Sequence, residues 1–235
     1  MTGRASSASP DASNALLVVD CGRIDYEQGL ALQAEVVARR EVGALGDTLL
    51  VLEHEPVYSA GRHADVDAHV LDAHGIPVVR VDRGGDVTYH GPGQVVVYPI
   101  LRLTGPRRVR AYVTALEQAC IDVAAGHGIA AHTVADRPGV WIGDDKLAAI
   151  GVRVRRGATS HGLAFNVTTD LADFGGIVPC GIRDGGVCSL ASLGVDTTVA
   201  DTARRVVDAL AAALARPVGA WTTPAALGLA VASAA

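Results

Sequence analysis

The sequence is poor in lysine: it has one, Lys146, against nineteen arginines, and its single methionine is the first residue. Soluble chains use lysine about as freely as arginine, so individual surface arginines carry little functional information here, whereas the position of the lysine is informative. No apolar run approaches the roughly 18 residues of a membrane-spanning helix, so the pattern excludes helical membrane spans.

The sequence also has few cysteines, and its net charge is negative. Four cysteines in 235 residues, without a signal-peptide pattern at the N-terminus, argue against a disulfide-stabilised secreted protein. A net charge of −5 argues against non-specific binding to nucleic acids. With 49% hydrophobic and 19% charged residues, the composition is that of a folded chain with a substantial core. We therefore expect a soluble cytoplasmic protein that binds neither nucleic acid nor membrane.

Hydrophobic periodicity predicts alternating strands and helices. The pattern favours an α/β or α+β fold, with a mixed β-sheet packed against helices. We expect a flexible N-terminal tail over 1–14, a single domain over 15–216 and an Ala-rich C-terminal tail over 217–235. The predicted strands are 16–20, 48–54, 77–82, 94–103, 139–143, 146–156 and 159–167, and the predicted helices are 25–42, 109–123 and 199–214.

A glycine-rich loop lies between two predicted strands, at 83–94. It is not a phosphate-binding loop, because no Gly-Lys-Ser/Thr follows and the next element is a strand rather than a helix. Two interpretations remain open from the loop alone. It is either a strand connection that needs positive φ angles, or a loop whose backbone approaches a ligand while Arg83, Tyr89 and His90 supply polar groups.

Four histidines, at 54, 63, 69 and 74, raise the question of a zinc site. Their spacing contains no i, i+4 pair on a helix, no cysteine lies among them, and no zinc-binding motif is present. We therefore predict no metal site.

Two residues suit nucleophilic chemistry. Cys180 lies between a proline and a glycine in an irregular segment, whereas Cys120 and Cys21 fall at apolar positions of predicted elements. A nucleophilic thiol needs a nearby base or cation, and strand alternation places Lys146 on the apolar face with Ala148 and Ile150. The alternative is that Lys146 lies at a strand end and extends to water. If the lysine points inward, the returning chain after the hairpin is long enough to bring Cys180 beside it.

Four motifs, in this order, together carry a family resemblance. They are Arg-Gly-Gly-x-x-Thr-Tyr-His-Gly-Pro-Gly-Gln at 83–94, Gly-Val-Trp-Ile with Lys-Leu-Ala-Ala-Ile-Gly at 139–151, His-Gly-Leu-Ala-Phe-Asn-Val at 161–167, and Pro-Cys-Gly at 179–181. In order and spacing, over about residues 15–215, the sequence resembles the lipoyl(octanoyl) transferases. The resemblance implies the catalytic-domain fold of the biotin and lipoate protein ligases.

It also implies an activity: transfer of an octanoyl group from octanoyl-acyl carrier protein to a lysine of a lipoyl domain. The acceptors would be the E2 subunits of 2-oxoacid dehydrogenases and the glycine cleavage H protein. By the resemblance, Cys180 is the acyl-thioester nucleophile and Lys146 lowers its pKa. The residues that fall on the substrate-binding positions are Arg83, Gly84, Gly85, Asp86, Val87, Thr88, Tyr89, His90, Ala149, Ile150, Gly151, Gly162, Leu163 and Ala164.

Thioester exchange is nearly isoenergetic and amide formation is downhill, so this chemistry needs no cofactor and no metal. Cys188 falls where the family pattern has no cysteine, and we assign it a structural role. Three alternatives remain: an ATP-dependent lipoate or biotin ligase of the same fold, a non-catalytic module that binds acyl groups or lipoyl domains, and a cysteine hydrolase.

Overall fold

The computed structural model describes residues 14–103, 105, 108–178 and 185–230. Its helices are α1 (Tyr26–Glu41), α2 (Val66–His69), α3 (Arg108–Ala125) and α4 (Val199–Ala213). Its strands are β1 (Leu16–Ile24), β2 (Thr48–His54), β3 (Val57–Ala60), β4 (Val78–Arg80), β5 (Val87–His90), β6 (Gln94–Ile100), β7 (His132–Val134), β8 (Arg137–Ile142), β9 (Asp145–Arg155), β10 (Ala158–Asn166), β11 (Gly186–Val187) and β12 (Val218–Thr222).

Most of these strands form one mixed sheet in the order β12-β1-β2-β6-β10-β9-β8-β7, with β11 beside β9. β1 runs parallel to β2 and β12, while β2, β6, β10, β9, β8 and β7 pair antiparallel in succession. The predicted mixed sheet packed with helices is therefore confirmed. No helix among the described residues is long and apolar enough to cross a membrane.

Strand alternation divides the core between the two faces of this sheet. Val95 and Val97 of β6 belong to the larger cluster, with residues of α3 and α4, whereas Val96 and Tyr98 belong to the cluster that contains Leu32 of α1. Both faces of β6 are buried, which explains its continuous apolar run. The central strands are thus covered on both sides, and any site in this region lies between the sheet and a helix or loop.

A second, three-stranded sheet has the order β4-β3-β5 and packs over one end of the first. Its apolar cluster includes Tyr58, Tyr89 and Phe174. β3 is absent from the predicted strands, and β5 falls within the segment 83–94 that was predicted as a glycine-rich loop. These four-residue strands are buried at every position, so they lack the alternation that identifies a strand from sequence.

The hairpin of β9 and β10 closes with two residues, Arg156 and Gly157. Both have positive φ angles, 50° and 83°, as a two-residue hairpin turn with the right-handed twist of the strands requires. The predicted strands 146–156 and 159–167 therefore each shift by one residue toward the N-terminus.

The C-terminal segment differs from the predicted Ala-rich tail. Residues 218–222 form β12 at the edge of the main sheet, and Leu229 is buried against the α1 side. β12 runs parallel to β1 and has no fully buried residue, so its weak pattern concealed it in the sequence. The segment 217–230 thus belongs to the same packed unit as the residues before it.

The buried carboxylate of Asp47 connects the start of the C-terminal segment to other parts of the fold. Asp47 forms ion pairs with Arg40 at 2.5 Å and with Arg216, and it accepts a hydrogen bond from the Arg102 backbone N–H at 3.0 Å. Its side chain is 9% exposed, so the loss of these partners would leave poorly solvated charges.

We expect Asp47→Ala to lower the free energy of unfolding by about 2–4 kcal/mol, because two largely buried guanidinium groups lose their counterion. Urea denaturation measures this change. Glu55→Ala is the matched control, since Glu55 pairs with Arg23 at the surface, where both side chains are about half exposed, and its loss should change stability by less than about 1 kcal/mol. Equal effects of the two substitutions would contradict this account of Asp47.

Candidate functional site

A pocket lies where the small sheet packs against β9 and β10, and we call it the central pocket. It encloses about 430 Å³, open solvent at its mouth included. Ala149 and Ala164, which pair across β9 and β10, supply an apolar floor on the main sheet. The residues that line it are Tyr26, Arg83, Gly85, Asp86, Thr88, His90, Tyr98, Ala149, Ile150, Gly151, His161, Gly162, Leu163 and Ala164.

The structure brings most of the predicted substrate-binding residues together around this pocket. Eleven of the fourteen line it, and they come from three separate sequence motifs. The other three, Gly84, Val87 and Tyr89, do not. Val87 and Tyr89 point to the opposite face of β5, into the cluster with Tyr58, and the Gly84 N–H donates to the Val152 carbonyl at 3.0 Å.

Arg83 is the most deeply buried cation of the pocket, at 6% exposure. Its guanidinium donates to the Ser59 carbonyl at 2.6 Å, to the Ser59 hydroxyl at 2.8 Å and to the Gly84 carbonyl at 2.9 Å. These bonds satisfy the two terminal nitrogens of the guanidinium, whereas its Nε has no hydrogen-bond partner among the described residues. They attach the loop to β3 of the small sheet.

Two glycines make room for this side chain. A Cβ at Gly61 would lie 2.4 Å from the Gly85 carbonyl oxygen and 3.0 Å from the Arg83 guanidinium. A Cβ at Gly151 would lie 3.1 Å from the Arg83 Cδ and from the Gly84 carbonyl oxygen. Gly151 thus allows the arginine and its loop to approach β9 closely, which brings the two sheets together.

Lys146 is buried, at 5% exposure, as strand alternation predicts, but on the other face. The pairing of β8 with β9 shifts by one residue between Val140 and Trp141, so that Leu147 joins Ala148 in the core beneath α3 and α4. Such a shift marks a β-bulge. Val140 is in that core as well, so Trp141 and its partner Lys146 lie on the opposite face, that of the central pocket.

The bulge therefore directs the lysine toward the floor of the pocket. The Lys146 Nζ lies 4.6 Å from the centre of the Trp141 ring, a cation–π contact. Ala149 and Gly151 follow it on the same face and line the pocket. The sequence alone gave no indication of the bulge, because its apolar residues fit regular alternation.

Cys180, the predicted nucleophile, lies outside the described residues. On its N-terminal side, the Val178 N–H donates to the His69 carbonyl at 2.8 Å, and His69 pairs with Asp86 of the pocket at 2.7 Å. On its C-terminal side, Val187 of β11 pairs with Lys146. The two flanks of the cysteine segment are thus anchored beside the pocket and beside the lysine.

The three described cysteines, Cys21, Cys120 and Cys188, carry no disulfide. Burial raises the pKa of the Cys21 and Cys188 thiols to about 12, and burial also raises the pKa of the Cys120 thiol. Cys188 packs in the core on the α3 and α4 face, away from the face that carries Lys146. These thiols are poorly suited to nucleophilic attack, since the thiolate is the reactive form.

A group of aromatic and imidazole rings lies behind the pocket, and its tyrosines were not predicted from the sequence. The Tyr26 ring stacks on His90 with centroids 5.6 Å apart, and the Tyr98 hydroxyl lies 2.8 Å from the His54 Nε2. The His161 ring meets Tyr98 edge-on at 6.1 Å. His90 and His161 belong to motifs that the sequence marked, whereas Tyr26 and Tyr98 lie in an ordinary helix and strand.

These histidines are held neutral. Burial lowers the pKa of His54 to about 4, and burial with the nearby charges of Arg83 and Arg153 lowers the pKa of His161 to about 4. Burial lowers the pKa of His90 well below its usual range, and the neighbouring His54 and Arg83 add to that effect. The imidazole rings at the inner wall of the pocket are therefore uncharged.

A narrow pocket with an apolar floor, uncharged imidazoles on its inner wall and a buried lysine near its edge is suited to a small, largely apolar ligand. A family model described as "lipoyl protein ligase A/B catalytic domain" matches residues 25–211. The chain belongs to this family, as the sequence motifs indicated.

Two related sequences can be matched to most of this chain. The octanoyltransferase of Nocardia farcinica is 45% identical, over 90% of this chain and 86% of that protein. The octanoyltransferase of Mycolicibacterium smegmatis is 46% identical, over 86% of this chain and 91% of that protein. The predicted resemblance to octanoyltransferases and the predicted acyltransferase class are confirmed by these relatives.

Solved structures share the fold at low sequence identity. A lipoate protein ligase from T. acidophilum with bound lipoic acid has a TM-score of 0.71 at 15% identity, covering 91% of this chain and 92% of that one. A lipoate-protein ligase A bound with ATP has a TM-score of 0.71 at 16% identity, with the same coverage. The predicted fold, that of lipoate and biotin ligase catalytic domains, is confirmed.

Because these histidines are neutral in the folded protein, we expect its stability to depend on pH. A histidine whose pKa is near 4 when folded and near 6.5 when unfolded contributes its full stability above about pH 6.5. As the pH falls from about 6.5 toward 4, the unfolded chain binds protons first. We expect the free energy of unfolding to fall by up to ~1.4 kcal/mol per pH unit for each such histidine.

Urea denaturation between pH 7.5 and 4.5 measures this slope in the wild type and in His54→Gln. Removal of His54 should flatten the slope by about one proton's contribution. A slope in His54→Gln equal to that of the wild type would show that His54 is not held neutral.

Proposed function

We propose that this protein transfers an octanoyl group from octanoyl-acyl carrier protein, through a thioester on Cys180, to a lysine of a lipoyl domain in the cytoplasm. The observation that carries the proposal is the central pocket with Lys146 on its face, in a chain 45% identical to an octanoyltransferase. The acceptors are the lipoyl-bearing E2 subunits and the glycine cleavage H protein.

The pocket suits the tail of a medium-length acyl chain. Its floor of Ala149 and Ala164 excludes water from methylene groups, and the imidazoles of His90 and His161 add no charge to its wall. Each buried methylene contributes ~0.8 kcal/mol, so about six of them supply roughly 5 kcal/mol of binding. This contribution explains how an acyl group is selected without recognition of a polar tail.

Chain connectivity supports Cys180 as the nucleophile. The cysteine follows Val178, whose N–H donates to the His69 carbonyl, by two residues. It precedes Val187, the partner of Lys146, by seven residues. The described flanks of the cysteine thus lie beside the pocket and beside the lysine, whereas Cys188 is buried on the α3 and α4 face of the sheet.

The reaction follows in two steps. The Cys180 thiolate attacks the thioester carbonyl of the donor, and the carrier's thiol leaves with the proton that Lys146 took from Cys180. The acceptor lysine then attacks the Cys180 thioester, an amide bond forms, and the Cys180 thiolate leaves. Lys146 accepts the proton that the attacking amine loses.

An ATP-dependent ligase is the second candidate, because the fold is also that of an ATP-bound lipoate-protein ligase A. Such an enzyme would activate a free acid as an adenylate and would not require Cys180. The two candidates differ in whether an acyl-enzyme forms without ATP.

We expect the wild type, mixed with octanoyl-acyl carrier protein without ATP, to gain one octanoyl group, observed as an intact-mass adduct. Cys180→Ala should form none, because no other thiol of suitable pKa is available. Cys188→Ala is the matched control and should keep the adduct. An adduct that needs ATP, or one that survives in Cys180→Ala, would refute the transferase chemistry proposed here.

Lys146→Arg should reduce transfer by roughly 10²–10⁴-fold, because a guanidinium does not release its proton and cannot act as a base. The measurement is the rate of octanoyl transfer to a lipoyl domain, with thermal unfolding as a check that the variant folds. Arg155→Lys, the reverse exchange at an exposed position of the same strand, serves as the control. Wild-type rates in Lys146→Arg would reduce the lysine to a structural cation.

A further inference from the structure

Two hollows lie end to end on the same face of the β9–β10 hairpin. The central pocket covers residues 149–151 and 161–164, and a second hollow, which we call the hairpin groove, covers 153–156 and 158–161. The groove runs between the hairpin and α1 and encloses about 950 Å³, part of it open to solvent. Among the residues that the structure describes, His161 is the one that lines both hollows.

His161 therefore forms the partition between the two hollows. It pairs with Val152 across the hairpin, so on β10 it is the lining residue farthest from the lysine end of the pocket. The side chain is 6% exposed. Its ring lies between the charges of Arg83, which lines the pocket, and Arg153, which lines the groove.

The backbone conformation and hydrogen bonding of His161 are unusual for a strand residue. His161 has a φ of 55°, a left-handed conformation that is uncommon for residues other than glycine. Its N–H leaves the strand ladder and donates to the Gln33 side-chain oxygen on α1 at 2.7 Å. Strain of this kind persists where surrounding contacts impose it, and it concentrates at ligand sites.

We propose that His161 closes the distal end of the acyl pocket and sets the longest acyl chain that the enzyme accepts. The proposal rests on the proposed function. The acyl carbonyl lies at the Lys146 end, the chain passes over Ala149 and Gly151, and its methyl end meets the His161 ring. Without that ring, a longer chain would continue into the groove, where Leu30, Ala34 and Val37 of α1 offer apolar contacts.

The test compares acyl-carrier substrates of eight and twelve carbons in the wild type and in His161→Gly. Glycine removes the ring and accepts the positive φ, so the backbone need not move. The ratio of kcat/KM for the twelve-carbon chain to that for the eight-carbon chain should rise by at least about tenfold, since four more methylenes become buried.

Asp136→Gly is the matched control. Asp136 also has a positive φ, 61°, but it is exposed and lines neither hollow, so its replacement should leave the ratio unchanged. His161→Asn is a second variant that tolerates the same φ with a smaller side chain, and it should raise the ratio to a smaller extent. Calorimetric titration with free octanoate and dodecanoate reports chain-length preference independently of catalysis.

An unchanged ratio in both folded His161 variants, with unchanged preference in calorimetry, would overturn the proposal. Failure of the proposed function looks different: the wild type would not transfer the eight-carbon chain at all without ATP. In that event calorimetry with the free acids still decides whether His161 limits the length of the chain that the pocket holds.

Discussion

The two sheets of this protein meet at one buried guanidinium. Arg83 bonds to Ser59 of the small sheet, and its aliphatic part packs against Gly151 of the main sheet. An uncompensated cation in this position would destabilise the fold, so its backbone and hydroxyl acceptors have to be in place. Every wall of the central pocket is positioned by that junction, because the pocket is the space that remains between the two sheets.

The same charge determines the chemical character of the pocket. Arg83 lies near His90 and His161, and with burial it disfavours a second positive charge on either ring. The imidazoles are thus hydrogen-bonding but uncharged, as the contact of His90 with Gln94 at 2.8 Å and with Ser59 at 3.0 Å illustrates. A site built from histidines can in this way accommodate an apolar chain near neutral pH.

Much of this arrangement could be predicted from sequence, because the motifs contain the residues that the fold brings together. The glycine-rich loop, the strand after Lys146 and the strand at 161–164 meet at one pocket, since each motif combines an apolar strand with the glycines that close packing requires. The predicted roles of Cys180 and Lys146 remain predictions. Not every residue of a motif faces the pocket. Val87 and Tyr89 lie on the other face of β5, because successive side chains of a strand alternate between its two faces.

The features that the sequence did not predict depend on pairing between strands that are distant in sequence. The short strands β3 and β5 are buried on both faces by elements distant in sequence, so their local pattern carries no period. The bulge at Lys146 is visible only in the register with β8, because the residues from 146 to 154 fit unbroken alternation equally well. Regular pairing would have turned the lysine toward the helices, on the face opposite the pocket.

The two irregularities of the hairpin lie at the two ends of the pocket. At one end the bulge turns Lys146 onto the pocket face, and at the other a left-handed residue, His161, turns its N–H toward α1. Between them, 149–151 pair regularly with 162–164 and form a flat floor. The length of this regular stretch sets the separation between the reactive end and the distal wall. Departures from local pattern are therefore expected at functional positions, because regular pairing alone would form a floor without ends.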